Sequence, residues 1–400
     1  MSDHSAHGGT PLKILELRSV FGTGGGPEKT ILLGTARSDP SRYLVTVCYI
    51  RDERDPVFHI DRRAQNLSVD YAEVVERHSF DLRIWKQLTA LVRDRRIDIV
   101  HAHDYKTDLL ALMLARRFGV IPLATAHGWT GHSARERWIY YPADRWLLAR
   151  YPCVIAVSSD VKNALVRAGA RTGDVRVVLN GIDPQAFERN RQRRDAARYR
   201  FGLTNTDIAV GGVGRLVTQK RFDVLIRAFA NIVTAFPHAR LLIAGDGPLR
   251  TALASQIADS GLAESCRLLG HVDDVRLLHD ALDVFVQSSD YEGTPNAVLE
   301  AMALETPIVA TDAGGTAELA RDAIEALIVP ALDAPALARA LRDVLSDPAS
   351  AARRTAAARR RITNELSFEH RMQQVDRIYD ELAARFRRGG AEARDVEIAS

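Results

Sequence analysis

The chain has 400 residues, a length that favours two domains over one hydrophobic core. Hydrophobic residues make up 46% of the chain and charged residues 26%, which are the proportions of a globular protein. The formal net charge of +3 lacks the large basic excess of a dedicated nucleic-acid binder, so we expect no nucleic-acid partner.

The sequence also indicates a compartment. Cys48, Cys153 and Cys266 lie far apart, in the spacing of neither a disulfide framework nor a metal site, which favours a reducing environment. Residues 1–10 lack a signal pattern, and no run of 18 apolar residues predicts a membrane span. We therefore expect a cytoplasmic protein, with a peripheral position on the inner face of the cytoplasmic membrane as an open alternative.

Short apolar runs alternate with segments of helical period from Leu12 onward, which is typical of βα units on a parallel sheet. The first set of predicted strands is LKILELRSV (12–20), RYLVTVCYI (42–50), IDIVHAH (97–103), VIPLATAH (120–127), CVIAVSS (153–159) and VRVVLN (175–180). The second set is DIAVGGVG (207–214), ARLLIAGDG (239–247), CRLLGHV (266–272), DVFVQSS (283–289), PIVATDA (307–313) and EALIVP (325–330). The pattern predicts two doubly wound sheets, each with its functional edge at the carboxyl ends of its strands.

This alternation predicts the domain boundaries. We expect a flexible N-terminus (1–11), a first α/β domain (12–186), a second one (187–365), a final helix (366–388) and a flexible tail (389–400). The arginine-dense stretch FERNRQRRDAARYR (187–200) is interpreted as the linker, and a solvated helix face is its alternative.

The first candidate site is the glycine-rich turn FGTGGGPEKT (21–30) after the first strand. Gly24, Gly25 and Gly26 let the backbone approach a phosphate or sugar, and the following helix start offers N–H donors; a plain flexible turn is the alternative. As a dinucleotide fingerprint the turn fails, because Pro27 occupies the third glycine position and Thr46 stands where an acid is expected. This disfavours an NAD-dependent oxidoreductase.

The second candidate is GRLVTQK (214–220), between a predicted strand and a predicted helix. Past Gly214, Arg215 and Lys220 could clamp one diphosphate, the arginine as a bidentate fork and the lysine as a point charge. Alone, this pair is equally compatible with two surface cations.

The third candidate is SSDYEGTPNAVLE (288–300), which holds Glu292 in a turn and Glu300 about a turn and a half into a helix. Pro295 suits a helix start, where the next amides are donors for an anion. Two carboxylates near one sheet edge suit a sugar and a ribose, both rich in hydroxyls. First-turn glutamates favoured by the helix dipole are the alternative, which accounts for Glu292 better than for Glu300. The residues grouped here are Glu292, Gly293, Thr294, Pro295, Asn296, Ala297 and Glu300.

Histidines follow two strands of the first domain. His127 in TAHG could bind a sugar hydroxyl or a leaving phosphate, or could be a structural histidine. His101 and His103 alternate along a strand end, but the sequence shows no third metal ligand, which favours packing. No D-x-D, G-x-S-x-G or P-loop pattern occurs, so we expect no metal and neither a hydrolase nor a P-loop nucleotide site.

In this order and spacing the motifs resemble the retaining GT-B glycosyltransferases of family 4. The resemblance covers Leu12 to about Phe386 and rests on GGGPEK, TAHG, VLNGID (178–183), GRLVTQK, AGDGP (244–248), YEGTPNAVLE and TDAGGTAE (311–318). It implies two Rossmann-like domains facing across a central cleft, with the final helix crossing back onto the first domain. It also implies metal-independent transfer of a hexose-type sugar. The donor would be a UDP- or GDP-sugar, which is a substrate, and no cofactor is expected. The expected setting is bacterial surface polysaccharide or glycoconjugate synthesis.

The resemblance further implies roles for single residues. Arg215 and Lys220 would hold the donor diphosphate, Glu292 the donor sugar and Glu300 the ribose, with His127 beside the sugar and its phosphate. The Gly24–Gly26 loop would face the reacting phosphate, although Pro27 replaces the family's small residue before Glu28. Backbone contacts to the base are expected at Gly270, His271 and Val272.

The acceptor is expected to be a glycan, a lipid-linked molecule or a small molecule bound by the first domain. There SARERWIYYPADRWLLARYP (133–152) interleaves arginines with tryptophans and tyrosines, which is typical of contact with an anionic membrane or of an amphipathic helix packed on the sheet. A GT-B sugar-nucleotide epimerase and a catalytically silent sugar-nucleotide-binding protein are the alternative functions. The sequence carries no indication of oligomeric state.

Overall fold

A computed structural model describes residues 10–22, 24–78, 81–129 and 136–398, apart from the side chains of Arg137 and of 389–398. The chain divides into two compact units. Unit 1 takes in the chain up to Val157, Val161–Val178 and the residues from Met372. Unit 2 takes in Ser158–Asp160 and Leu179–Arg371.

Unit 1 contains a seven-stranded parallel sheet of order β3-β2-β1-β4-β5-β6-β7. Its strands are β1 (Leu12–Val20), β2 (Tyr43–Asp52), β3 (Asp70–Glu76), β4 (Ile99–Ala102), β5 (Ile121–Ala126), β6 (Val154–Ala156) and β7 (Val175–Val177). Its helices are α1 (Gly26–Ala36), α2 (Ile60–Asn66), α3 (Arg83–Arg95), α4 (Tyr105–Phe118), α5 (Tyr141–Leu148), which follows a π-helical turn (Glu136–Tyr140), and α6 (Ser159–Arg167), whose first two residues belong to unit 2.

The six-stranded parallel sheet of unit 2 has the order β10-β9-β8-β11-β12-β13. Its strands are β8 (Ile208–Val213), β9 (Ala239–Ala244), β10 (Cys266–Gly270), β11 (Val284–Gln287), β12 (Ile308–Thr311) and β13 (Leu327–Val329). Its helices are α7 (Arg194–Arg200), α8 (Phe222–Ala230), α9 (Arg250–Asp259), α10 (Val275–Ala281), α11 (Asn296–Ala303), α12 (Thr316–Leu319), α13 (Ala334–Ser346) and α14 (Pro348–Asn364). The predicted α/β class with two doubly wound sheets is confirmed.

The last helix, α15 (Phe368–Ile398), contributes to the core of unit 1. Val375, Ile378 and Leu382 are buried in one cluster with Ile14 and Leu123 of the sheet. This apolar stripe of i, i+3 and i+7 positions fixes the helix against the strands. Among the described residues, none of the helices combines the length and apolar character that a bilayer crossing requires.

The structure differs from the sequence prediction in one strand, one domain boundary and one helix end. The prediction missed β3, a strand at the edge of the sheet whose apolar run is interrupted by an acidic residue at every third position. The division between the units falls after Val178, rather than at 186, because the next residues pair with unit 2: Ile182 N–H donates to the Leu366 carbonyl at 3.0 Å. Helix α15 also continues through the predicted tail to Ile398, in a stretch rich in the good helix formers Ala, Glu and Arg.

The interpretation of 187–200 as a linker is wrong. These residues include a 3-10 turn (Arg191–Arg193) and α7, and Ala197 and Arg198 are buried. The Arg198 guanidinium donates to three backbone carbonyls and to Asp283, which satisfies its buried polar atoms. Arg198 therefore serves buried hydrogen bonding within unit 2, whereas Arg191 and Arg200 are exposed.

Candidate active site

The first site segment of unit 2 follows β8 and is shaped by two glycines of a neighbouring loop. A Cβ at Gly245 would lie 1.9 Å from the Gly214 carbonyl oxygen, and one at Gly247 would lie 2.6 Å from that of Leu216. Only glycine permits this approach, because both backbones have positive φ and no room for a side chain. The AGDG motif therefore supports the loop that carries Arg215, whose side chain is exposed.

Lys220 lies next to Glu292 at this edge of the sheet. Its Nζ donates to Glu292 Oε1 at 2.5 Å, and the Ser289 hydroxyl donates to the same oxygen at 2.6 Å. The Ser289 and Glu292 side chains are buried, and Lys220 is 20% exposed. The structure thus brings together a cation and a carboxylate that the sequence separates by 72 positions.

The two loops that carry this pair are joined by their backbones. The Asp290 amide donates to the Gln219 carbonyl at 3.0 Å, and Gln219 Nε2 donates to the Tyr291 carbonyl at 2.8 Å. The Ser288 hydroxyl donates to the Lys220 carbonyl at 2.8 Å. The Lys220–Glu292 contact is therefore held by several independent hydrogen bonds.

The start of α11 lies immediately after Glu292. Pro295 is the residue that precedes the helix, so the helix begins at Asn296, one residue later than predicted. The Asn296 and Ala297 amides are at the first two helical positions, which have no acceptor within the helix and suit an anion. Thr294 and Glu300 are both half-buried, Glu300 as the fifth residue of the helix.

A second pair of glycines supports the turn at Gly293. A Cβ at Gly314 would lie 1.9 Å from the Glu292 carbonyl oxygen, and one at Gly315 would lie 2.0 Å from that of Gly293. The Gly315 amide also donates to the Gly293 carbonyl at 3.1 Å. The TDAGG motif thus fixes the position of the Glu292 turn, because its two glycines pack directly against the backbone of that turn.

All these segments lie at the carboxyl edge of the second sheet. The segments that carry Lys220 and Glu292 follow β8 and β11, the adjacent strands at which the strand order reverses. Open α/β sheets bind ligands at such a reversal. The candidate base-binding residues lie at the end of β10, the edge strand: Gly270 is its last residue, and His271 and Val272 follow. The Gly270 carbonyl accepts from the Gly245 amide at 2.7 Å, and His271 is exposed.

In unit 1 the glycine-rich turn is ordered by Glu28. Its two carboxylate oxygens accept from the Gly25 amide and from Arg18 Nε, both at 2.5 Å. A Cβ at Gly24, where φ is +72°, would lie 2.9 Å from the Glu28 side chain. The Gly25 amide is therefore engaged, whereas Gly26 opens α1, a position without an intrahelical acceptor.

A buried polar network joins the ends of β1, β4 and β5. Register places Glu16 beside His101, and Glu16 Oε2 lies 2.5 Å from His103 Nε2. His103 Nδ1 lies 3.3 Å from His127 Nε2, which brings the predicted site histidine into the network. Tyr379 of α15 donates to Glu16 Oε1 at 2.8 Å, and its oxygen lies 2.8 Å from His101 Nδ1.

The sequence reasoning missed Glu16, although an acidic residue within the apolar strand LKILELRSV is a signal. Glu16, His101 and His103 present atoms within 4.8 Å of one another that could hold a metal ion. Burial opposes the charge of Glu16, but the contacts with His101 and His103 outweigh it and hold the pKa of this carboxyl well below its usual range. Burial, with His101 nearby, lowers the pKa of His103 to about 4.

Two buried carboxyl groups lie behind the segment after His127. Trp129 Nε1 donates to Asp144 at 2.8 Å, and Asp144 interacts with Asp108. Burial raises the pKa of Asp108 well above its usual range, with a further contribution from Asp144, and burial also raises the pKa of Asp144. Two such carboxyls favour a shared proton over two charges.

The aromatic stretch of unit 1 is described from Glu136 onward; its residues 133–135 lie outside the described part. Trp138, Ile139 and Trp146 are exposed, and the Arg150 guanidinium lies 3.3 Å from the centre of the Trp146 ring. Leu148 is buried at the end of α5. One face of this stretch packs on the unit and the other presents tryptophans with an arginine.

The chain matches two family models and several known proteins. Residues 34–186 match the family model described as Glycosyltransferase Family 4, and residues 194–361 match that described as Glycosyl transferases group 1. The chain is 29% identical over 335 residues to a glycogen synthase of Mycobacterium tuberculosis, covering 80% of this chain and 76% of the relative. It is also 29% identical over 287 residues to the putative glycosyltransferase EpsD of Bacillus subtilis, covering 68% of this chain and 75% of EpsD.

A solved structure shows the same fold. The Anabaena protein Alr3699/HepE in complex with UDP-glucose superposes with a TM-score of 0.81, covering 92% of this chain and 100% of that one, at 20% identity. At this identity the similarity establishes the architecture, which is GT-B with two Rossmann-like domains.

Proposed function

The chain belongs to the group 1 glycosyltransferases of family 4, and on that premise we propose that it transfers a hexosyl group from a UDP- or GDP-sugar, without a metal and with retention of anomeric configuration. The proposed acceptor is a glycan, a lipid-linked molecule or a small molecule in bacterial surface polysaccharide or glycoconjugate synthesis. The observation that carries the proposal is the Lys220–Glu292 contact beside the start of α11 at the reversal of the strand order.

This edge offers the groups that a sugar nucleotide requires. The Lys220 ammonium, the Arg215 guanidinium and the first amides of α11 suit a diphosphate, and they would stabilise the charge that develops as the nucleoside diphosphate leaves. The Glu292 carboxylate suits hydroxyls of the donor sugar, and Glu300 suits those of the ribose. We propose base contacts at Gly270–Val272.

Unit 1 is proposed to contribute His127 and the glycine turn. His127 would bind the sugar or its phosphate, and the Gly26 amide would bind phosphate in place of the engaged Gly25 amide. A metal is not required by this scheme, because fixed cations and amides supply the positive charge and the chain contains no D-x-D motif.

A nucleotide screen tests the function. In buffer with EDTA, one of UDP-, GDP- and ADP-glucose is expected to raise the melting temperature and to release its nucleoside diphosphate. Lys220→Ala should lose the stabilisation, whereas Glu292→Ala should keep UDP binding and lose turnover. If no sugar nucleotide binds, or if neither substitution has an effect, the assignment is wrong.

The products distinguish the related functions. Retention predicts that NMR shows the same anomer in product and donor. Conversion of the donor sugar without an acceptor would instead identify an epimerase, and binding without turnover under any acceptor would identify a silent binding protein.

We propose that the exposed face of 138–150 contacts an anionic membrane that holds a lipid-linked acceptor. The support is the exposure of Trp138 and Trp146 together with Arg150, since aromatic rings suit the headgroup region and arginines attract anionic lipids. Flotation with phosphatidylglycerol vesicles should be sensitive to salt and weakened by Trp138→Ala with Trp146→Ala. Absence of binding at low salt would exclude it.

A further inference from the structure

The buried network of unit 1 contacts His127 through the ring of His103. Of the described residues, His103 is the one that contacts both Glu16 and His127, through opposite nitrogens of its ring. Its side chain is 3% exposed, whereas His127 is half-buried. A neutral imidazole has one N–H donor and one acceptor nitrogen, so when one ring nitrogen of His103 donates a hydrogen bond the other can only accept one.

We propose that His103 is a positioning residue for His127, and that Glu16 sets the hydrogen on His103 so that its Nδ1 accepts from His127. The proposal rests on the function assigned above, since it concerns how His127 is presented to the donor sugar or its phosphate.

The hydrogen positions follow from the contacts. The Glu16 carboxylate can only accept, so the 2.5 Å contact places a hydrogen on His103 Nε2. A buried neutral His103 then carries a lone pair on Nδ1, and the 3.3 Å contact requires the hydrogen on His127 Nε2. His127 is thereby fixed as the Nε2–H tautomer, which leaves Nδ1 as its acceptor when neutral.

The other carboxylate oxygen of Glu16, Oε1, also has a hydrogen-bond partner. Tyr379 donates to Glu16 Oε1 at 2.8 Å, which directs the second carboxylate oxygen away from His103. Since this hydroxyl hydrogen is used, His101 Nδ1 must carry a hydrogen, which points to the Tyr379 oxygen at 2.8 Å and to Glu16 Oε1 at 3.3 Å. His101 Nε2 lies 2.7 Å from the Thr125 hydroxyl oxygen. The ionised Glu16 therefore determines the hydrogens on His103 Nε2, on the Tyr379 hydroxyl and on His101 Nδ1.

The backbone of His103 is fixed independently of its ring. Its carbonyl accepts from Arg18 at 2.7 Å, and Arg18 in turn binds Glu28, which holds the Gly25 amide. His103 thus connects the glycine turn and His127, both assigned to the reacting phosphate. A shift of His103 would move groups on two sides of the proposed site.

A metal at Glu16, His101 and His103 is the rival explanation of these distances. Two ligands that bind one ion at about 2.0–2.2 Å stand roughly 3 Å or more apart. The 2.5 Å between His103 Nε2 and Glu16 Oε2 is shorter than that and is the separation of a hydrogen bond. The remaining ligand atoms also have protein partners, so hydrogen bonding accounts for the cluster.

Two substitutions of His103 separate its two contacts. His103→Gln places a donor near the position of Nε2, so it keeps the Glu16 contact and loses that to His127. His103→Asn places an acceptor near the position of Nδ1, so it keeps the His127 contact and loses that to Glu16. His279→Gln is the matched control, because His279 is fully buried in unit 2 and uses Nδ1 to contact Thr306 at 3.0 Å.

The first measurement needs no donor. Histidine ¹⁵N NMR of the full chain, with His127→Gln for assignment, should show the Nε2–H tautomer of His127 in the unsubstituted protein and in His103→Asn. In His103→Gln the two tautomers of His127 should mix. An unchanged His127 spectrum in His103→Gln would overturn the proposal, whether or not the protein turns over a sugar nucleotide.

The second measurement separates positioning from folding. With UDP-glucose, His103→Gln should lower kcat by about tenfold to 100-fold, the range for residues that orient a site ligand, and leave the Kd of UDP within about twofold. His103→Asn should lose less kcat at an equal loss of melting temperature, and His279→Gln should lose melting temperature alone. Equal kcat losses in both His103 variants would refute the proposal, as would a stoichiometric metal in the purified protein that His103→Gln removes.

Discussion

The Lys220–Glu292 contact leads to an unusual expectation for Glu292→Gln: weaker catalysis together with tighter binding of UDP. Glutamine keeps the shape and the acceptor oxygen of Glu292 and removes its charge. The Lys220 ammonium is held 2.5 Å from that charge, so a diphosphate must compete with Glu292 for it. Removing the competitor leaves the full positive charge to the nucleotide.

The magnitude follows from the hydrogen bonds. The contact is charged on both sides, and glutamine removes the charge of the acceptor while the ammonium donor stays charged. Of the roughly 1.5–3 kcal/mol that a hydrogen bond to a charged group contributes, we therefore expect a loss of about 1–1.5 kcal/mol. That difference corresponds to about a tenfold lower Kd for UDP. The bond from the Ser289 hydroxyl weakens by a similar amount, which should also lower the stability of unit 2.

Isothermal titration with UDP and a turnover assay with UDP-glucose measure the two effects. Turnover should fall about tenfold to 100-fold, because a neutral amide binds sugar hydroxyls less strongly than a carboxylate. Glu325→Gln is the control. Glu325 is buried and pairs with Arg321 and Arg361. It precedes β13 and so lies at the amino ends of the strands, whereas Lys220 and Glu292 follow their strands. Glu325→Gln should lower the melting temperature and leave the Kd of UDP unchanged.

Two results would refute this reasoning. Weaker UDP binding by Glu292→Gln would mean that the carboxylate does not compete for Lys220 but helps to hold the nucleotide. An equal change of UDP affinity in Glu325→Gln would mean that the affinity follows the stability of unit 2 and not the local charge.

Two further predictions concern backbone and pH. Gly314→Ala should weaken UDP binding by about tenfold or more, because its Cβ would displace the Glu292 turn. Gly261→Ala, with a similar positive φ and open space, should cost only about 1–2 kcal/mol of strain and no affinity. The raised pKa of Asp108, caused first by burial and then by Asp144, means that the native state binds more protons than the unfolded one, so stability should fall as pH rises above about 4. Asp108→Asn should flatten this fall and raise the melting temperature at pH 8; a flat profile of the unsubstituted protein would contradict it.

The alternation of apolar runs was sufficient to predict both sheets, because strands buried on both faces stand out as short apolar segments. The same criterion missed β3, an edge strand whose apolar run is interrupted by acidic residues. It also assigned 187–200 to a linker, since charge density alone does not reveal that Arg198 satisfies buried carbonyls. A run of charged residues predicts an exposed segment only where the groups that pair with those charges are near in the sequence.

The candidate site was predictable as a set of segments but not as contacts. Strand ends indicated that GRLVTQK and YEGTPNAVLE share one edge, and the strand order of unit 2 agrees. The ion pair of Lys220 with Glu292 depends on the adjacency of β8 and β11, which are far apart in sequence. Glu16 was missed for the same reason, because its partners are His101 in β4, His103 just after that strand and Tyr379 in α15.

The motifs that identify this family divide into residues that face the ligand site and residues that hold them in place. The glycines of AGDG and TDAGG make no approach to a ligand in our scheme; a Cβ at Gly245 or Gly314 would meet the backbone of the loop in front of it. Glu28 acts similarly on the Gly25 amide, and His103 on His127. Substitutions in this supporting layer should therefore alter geometry and rate without removing a ligand contact, and a motif position that tolerates no change need not touch the substrate.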